Sequence, residues 1–176
     1  MPSQHRPLSP VALALGALCL LGLGFYAARN APAVIMCAFC FGGVVVARIG
    51  GFSNRAVVPL ALGLVALLVF VWNAPPEDAL RTSALAHLAG GCLAGWATAE
   101  FLRARTAGLT LIVGALAAVV AITIAWELGE ILADRSFDTA LTPSKRDSAF
   151  DIFFGSIGGA LGIGASMLLA PTARRR

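Results

Sequence analysis

Six apolar stretches, separated only by short breaker-rich connections, leave this chain one solvent to fold in. They run Val11–Ala28, Ala33–Val46, Ala56–Trp72, Ala79–Leu102, Ala107–Leu132 and Ser148–Leu169. A helix needs about 20 predominantly apolar residues, with a range near 17–25, to cross the hydrocarbon core of a bilayer. The first and third stretches suffice, the last three are generous, and the second is short. Between them lie Asn30-Ala31-Pro32, Gly50-Gly51-Phe52-Ser53-Asn54, Asn73-Ala74-Pro75-Pro76 and Thr142-Pro143-Ser144, which are turn and helix-stop signals.

Composition agrees. The 176 residues are 59% hydrophobic and 12% charged, against about 25% charged for an ordinary soluble domain. A core of this size cannot bury so much apolar surface, so lipid must cover much of it. The expected fold is therefore all-α: a polytopic membrane protein, one domain over residues 1–176, built as a bundle of about six transmembrane helices. Arg6 ahead of an apolar run, with small residues near Ala28–Ala33, has the outline of a cleaved signal peptide; we read it as a first membrane helix. Cys19, Cys37, Cys40 and Cys92 all lie within apolar runs. Cys37 and Cys40 form a C-x-x-C, but with no second pair and no nearby histidine they read as small buried hydrophobes.

The net charge of +4 does not point to nucleic acid, because the basic residues are scattered through short loops rather than gathered in a stripe with aromatics. They serve instead to orient the chain. With a cytoplasmic N-terminus, that side carries Arg6, Arg48, Arg55, Arg103, Arg105, Arg174, Arg175 and Arg176, eight in all. The other side carries Arg29, Arg81, Arg135, Lys145 and Arg146, which is five. Lys and Arg accumulate on the cytoplasmic side of membrane proteins, so both termini are assigned there, in what would be a bacterial cytoplasmic membrane.

Ionisable groups within spans are costly, about 2.5–3.5 kcal/mol each at the bilayer centre on insertion scales. Here they are His87 in the fourth stretch, Glu127, Glu130 and Asp134 in the fifth, and Asp147 and Asp151 opening the sixth. His87 lies about 12 Å below the outer start of its helix at 1.5 Å per residue. Glu127 and Glu130 fall in the last two turns of the fifth helix, and Asp151 one turn below Asp147. Three helices thus bring polar residues to one outer-leaflet layer. Each helix also places them on a stripe: Ser83, His87 and Gly91; Thr123, Glu127, Glu130 and Asp134; Asp147, Asp151, Gly155 and Gly159. Gly155 and Gly159 form a G-x-x-x-G spacing suited to close helix packing, which aims the acids of the sixth helix into the bundle.

Blander roles compete at each position. Carboxylates near the interface can reach water, Asp147 and Asp151 can cap a helix N-terminus, and His87 with Ser83 can be a hydrogen-bonded packing pair. Glu100 and Arg103, one turn apart, read as a surface pair, and Trp72 and Trp126 as interfacial anchors.

The motifs His87-Leu-Ala-Gly-Gly91, Trp126-Glu127-Leu-Gly-Glu130, Asp147-x-x-x-Asp151 and Gly158-Gly159-Ala160-Leu161-Gly162 resemble the YjdF-like uncharacterised membrane proteins. More distantly they are similar to the VanZ-like family, some of whose members are associated with glycopeptide-antibiotic resistance. The resemblance covers about residues 83–164. It implies a site at His87, Glu127, Glu130, Asp147 and Asp151 but no settled activity. It departs from the pattern before His87, where Ser83 to Ala86 hold no acid, and at Arg146, where a tryptophan is expected.

Three functions compete on these residues. The first is an outer-leaflet site that binds or modifies the polar part of a lipid or lipid-linked envelope intermediate. Glu127 and Asp151 would be its central acids, His87 its ligand or base, and Glu130 its support, with Ser83, Thr123 and Asp147 alongside. Such a set can hold a divalent cation, hard oxygens suiting Mg²⁺ or Ca²⁺ and an added imidazole suiting Zn²⁺ or Mn²⁺. No catalytic nucleophile is evident. The second is a non-catalytic accessory or assembly subunit of a larger membrane complex, its glycine-rich helices serving a partner. The third is an ion or proton pathway element.

Overall fold

The computed structural model describes residues 9–139, 141 and 144–169. Arg6 and the Arg174–Arg176 cluster lie outside them. The described residues form six α-helices and a 3₁₀ turn, with no strand. They are α1 (Pro10–Ala27), α2 (Ala31–Ile49), α3 (Asn54–Asn73), α4 (Ala79–Arg103), α5 (Gly108–Phe137) and α6 (Lys145–Leu168). All but α4 are long and apolar enough to cross a membrane. The large aliphatic and aromatic side chains are exposed rather than gathered inside. On α6, for example, Phe150, Phe153, Ile157, Leu161 and Leu168 form an outward stripe, as expected where the outer medium is lipid. The chain is a multi-pass helical membrane bundle.

Several bounds differ from the sequence reading. The second helix is not short: it spans 19 residues. Pro32 sits in its first turn, where the missing N–H has no helical partner to lose, and the Asn30 side chain accepts from the Ala33 N–H at 3.1 Å as the N-cap. The fifth helix runs five residues past Leu132, to Phe137, and stops at Asp138 in the left-handed conformation. Glu127 therefore lies about 15 Å from that end at 1.5 Å per residue, one turn deeper than expected. The sixth begins at Lys145, with the Ser144 hydroxyl accepting from the Asp147 N–H at 3.2 Å.

The helices pack as two linked triplets. In α1–α3 the core is Leu18, Val44 and Val57 with Cys37, Cys40 and Ala61 between them; all four cysteines are free. In the second triplet, α4 and α6 run parallel and lie backbone to backbone. A Cβ built on Gly91 would stand 2.0 Å from the Gly155 carbonyl oxygen, and one on Gly95 2.2 Å from that of Gly159. From the other side, a Cβ on Gly158 or Gly162 would meet the carbonyl oxygens of Leu88 (1.9 Å) or Cys92 (2.0 Å). Gly155 and Gly159 also receive α5, through Thr123 and Val119. The sequence reading had named Gly91, Gly155 and Gly159; Gly95, Gly158 and Gly162 belong to the same seam.

A proline joins the triplets. Pro59, inside α3, cannot donate to the Arg55 carbonyl one turn earlier. The Trp96 indole N–H of α4 donates to that carbonyl instead, at 3.2 Å. One bond thus satisfies an acceptor that the helix abandons and ties α3 to α4.

Gly91→Ala should lower thermal stability by about 1–3 kcal/mol or more, because the added methyl meets rigid backbone rather than a movable side chain. Gly164→Ala, which faces open space, should leave stability unchanged or raise it by up to about 1 kcal/mol. Equal melting temperatures for the two variants in detergent would remove the seam from this account.

Candidate functional site

Register along the glycine seam decides what meets above it. Gly91 faces Gly155 and Gly95 faces Gly159, so one turn earlier His87 faces Asp151. His87 Nδ1 lies 3.1 Å from Asp151 Oδ1. The Ser83 hydroxyl, one further turn up α4, donates to both carboxylate oxygens of Asp151, at 3.0 and 3.1 Å. Its backbone carbonyl stands 3.1 Å from His87 Nδ1. On the other edge of the ring, Nε2 is 3.2 Å from Glu127 Oε1. The site is thus assembled from α4, α5 and α6.

All three groups are withdrawn from the surface. Glu127 is 3% exposed, Asp151 4%, and the His87 side chain 14%. Asp151 is well supplied with partners, but Glu127 is not. Neither of its carboxylate oxygens has a hydrogen-bond partner, and neither has His87 Nε2. The 3.2 Å approach between them is within ion-pair distance but does not align a donor on an acceptor. A buried polar atom left unpartnered costs about 1–3 kcal/mol, more for a charged one. Donor atoms of His87, Glu127 and Asp151 lie within 4.8 Å of one another, close enough to share one metal ion.

The remaining residues of the three stripes take other places. Glu130 is buried, and one carboxylate oxygen accepts from the Trp126 indole N–H at 2.7 Å. Trp126 itself packs edge-on against Phe39 of α2, so it joins the triplets from within rather than anchoring at an interface. Thr123 donates to the Val119 carbonyl of its own helix at 2.9 Å, and its methyl abuts Gly155; it packs and does not enter the polar group. Asp134 secures the turn after α5, accepting from the Thr139 hydroxyl at 2.6 Å and the Leu141 N–H at 2.7 Å. Asp147 stays at the half-buried mouth of α6, in the first turn.

A second polar contact lies at the opposite end of α4 and α6. Arg103 pairs with Glu100 and also donates to the carbonyl (2.8 Å) and hydroxyl (2.6 Å) of Ser166. The Ser166 hydroxyl in turn donates to Glu100 at 2.9 Å. Glu100 and Arg103 are therefore not a plain surface pair but a clasp onto α6. Ser166 carries no motif that marks it; only its place one turn beyond Gly162 points to it.

The chain matches no protein-family model, no curated protein and no solved structure. What the site does must follow from its own atoms. An imidazole and a carboxylate this close, held in a dry layer, can exchange a proton with a bound group, can hold a cation, or can do both.

Glu127→Met tests whether the carboxylate serves the fold. Removing two unpartnered buried oxygens should raise the stability of chelator-treated protein by about 1–3 kcal/mol, read from denaturant titrations in detergent. A loss of similar size would make Glu127 a structural ion-pair partner of His87.

Proposed function

We propose that the protein binds, and acts on, the polar part of a lipid or lipid-linked envelope intermediate in the outer leaflet of a bacterial cytoplasmic membrane. The observation that carries this reading is the buried group of His87, Glu127 and Asp151, in which Glu127 has no hydrogen-bond donor among the described residues. Ionisable side chains held inside a membrane bundle mark substrate or ion routes far more often than they mark packing. The group also lies nearer the ends where α4 and α6 begin than the ends where they finish, which supports a site to one side of the midplane. His87 is about 12 Å and Asp151 about 9 Å along their helices at 1.5 Å per residue.

The excess of Lys and Arg on the other side supports an outward-facing site with both termini cytoplasmic. Likeness to the YjdF-like and VanZ-like families belongs to the same proposal and rests on the motifs around His87, Glu127 and Asp151. In this reading Glu127 and His87 contact the headgroup and move its proton, and Asp151 holds the imidazole. Ser83 in turn holds Asp151.

Lipids that stay with the purified protein test it. Extracts of the wild type should be enriched in phosphate-bearing or lipid-linked species over the bulk membrane. Glu127→Gln and Asp151→Asn should lose that enrichment while inserting and eluting as the wild type does. Unchanged lipid profiles in both variants would overturn the reading. A stoichiometric partner retained equally by wild type and variants would install the accessory-subunit role in its place.

A further inference from the structure

The two edges of the His87 ring face opposite kinds of neighbour. On the Nδ1 edge stand three oxygens: Asp151 Oδ1 at 3.1 Å, the Ser83 carbonyl at 3.1 Å and the Ser83 hydroxyl oxygen at 3.4 Å. The Ser83 hydroxyl proton is spent on Asp151, so nothing on this edge donates to the ring. A neutral imidazole must therefore carry its proton on Nδ1 and leave a lone pair on Nε2. Nε2 stands 3.2 Å from Glu127 Oε1, off the line a hydrogen bond would take, and among the described residues neither it nor either Glu127 oxygen has a hydrogen-bond partner. Two electron-rich groups thus approach each other in a dry interior, an arrangement that demands a positive charge between or beside them.

Apart from a proton on His87 itself, no cationic side chain of the described residues reaches this position. Arg103 is engaged at the far end of the α4–α6 seam, and Arg146 lies over the Phe150 ring. Arg81 and Arg135 are exposed. Among the described residues, Glu127 has no ion-pair partner besides His87. A shared proton would align Nε2, hydrogen and Oε1, and that alignment is missing. A metal ion asks for something different. Bonds of about 2.0–2.2 Å to an imidazole nitrogen and a carboxylate oxygen, at the angles of tetrahedral or octahedral coordination, set those two atoms roughly 2.9–3.5 Å apart. The observed 3.2 Å falls inside that window.

We propose that His87 Nε2 and the Glu127 carboxylate hold a divalent cation of the zinc or manganese type, with Asp151 and Ser83 fixing the imidazole from behind. The proposal deepens the headgroup reading and rests on the same site. A nitrogen donor beside carboxylate favours zinc or manganese over magnesium or calcium, which take oxygen alone. The Ser83 carbonyl facing Nδ1, with the hydroxyl-held Asp151 carboxylate beside it, is the kind of outer support that metal-bound histidines recurrently use to set tautomer and ring orientation. Two protein ligands leave coordination positions open, and phosphate oxygens of a lipid headgroup are the donors best suited to complete them. His87 and Asp151 act through a register that the glycines impose, so the cation site and the α4–α6 seam stand together.

Metal content and binding test the proposal directly, on the full chain in detergent or nanodiscs. Elemental analysis after purification, and titration of the chelator-treated protein with Zn²⁺ and Mn²⁺, should give about one ion per chain. Saturating ion should raise the melting temperature by roughly 3 °C or more, as ligands selective for the folded state do. Bound Mn²⁺ should show coupling to an imidazole nitrogen in pulsed electron paramagnetic resonance, absent in His87→Gln. Glu127→Gln should abolish stoichiometric binding, and Ser83→Ala should weaken it by about 10–100-fold without removing it, since Ser83 only supports the ligand. Metal that stays bound in both His87→Gln and Glu127→Gln overturns the site, as does a wild type that binds no ion and shows no thermal shift. Should either variant fail to fold, the nitrogen coupling and the thermal shift of the wild type decide alone. A protein that binds metal but enriches no lipid keeps this proposal and loses the headgroup reading; the reverse pattern does the opposite.

Discussion

The meeting of His87 with Asp151 depends on two backbones touching. Water gives membrane helices no hydrophobic reason to associate, so their packing rests on van der Waals contact between close surfaces, which small residues permit. Gly91 and Gly95 on α4, with Gly155, Gly158, Gly159 and Gly162 on α6, remove every side chain from the contact. Carbonyl oxygens of one helix then occupy the space where the other would carry a Cβ. A seam so tight admits one register, and that register sets His87 against Asp151. The site is a by-product of packing in the sense that the positions of His87 and Asp151 follow from where glycines stand one turn below.

The same contact explains why α4 is the least apolar of the helices. It holds glycine, alanine, threonine, a histidine and a glutamate where the others hold leucine and valine, and it alone does not qualify as a membrane span by composition. Its neighbours are α3, α5 and α6, so most of its surface meets protein. A central helix has no need to satisfy lipid and is free to carry polar groups. The outer helices do the opposite: their exposed leucines, valines and phenylalanines are what lipid contacts. Hydropathy here reports position in the bundle more than the capacity to cross.

Much of this was legible in the chain. Apolar length and loop breakers gave six helices, and spacing at three and four residues gave the stripes of His87, of Glu127 and of Asp151. Depth could be read because helix rise is constant. What could not be read was which way each stripe turned. Glu127 and Glu130 share a face on α5, yet one meets His87 and the other Trp126 of its own helix. Thr123 lies on that face too and packs by its methyl. Such differences come from rotamers and neighbouring helices, which periodicity does not encode. The second helix was underestimated because Pro32 was read as a break rather than a first-turn residue. Ser166 escaped because a single serine in an apolar helix carries no pattern.

The Arg103, Glu100 and Ser166 clasp gives the seam a property that glycine alone does not supply. The glycine contact holds its register by steric fit alone, since along it the two helices touch backbone to backbone. A slip of one residue would displace α6 by about 1.5 Å relative to α4, parting Asp151 from the imidazole and driving side chains into the backbone seam. A charged tether at the far terminus adds a directed contact to that steric fit. The pair is therefore pinned at one end, and the geometry around His87 is held to register by a contact some five turns away.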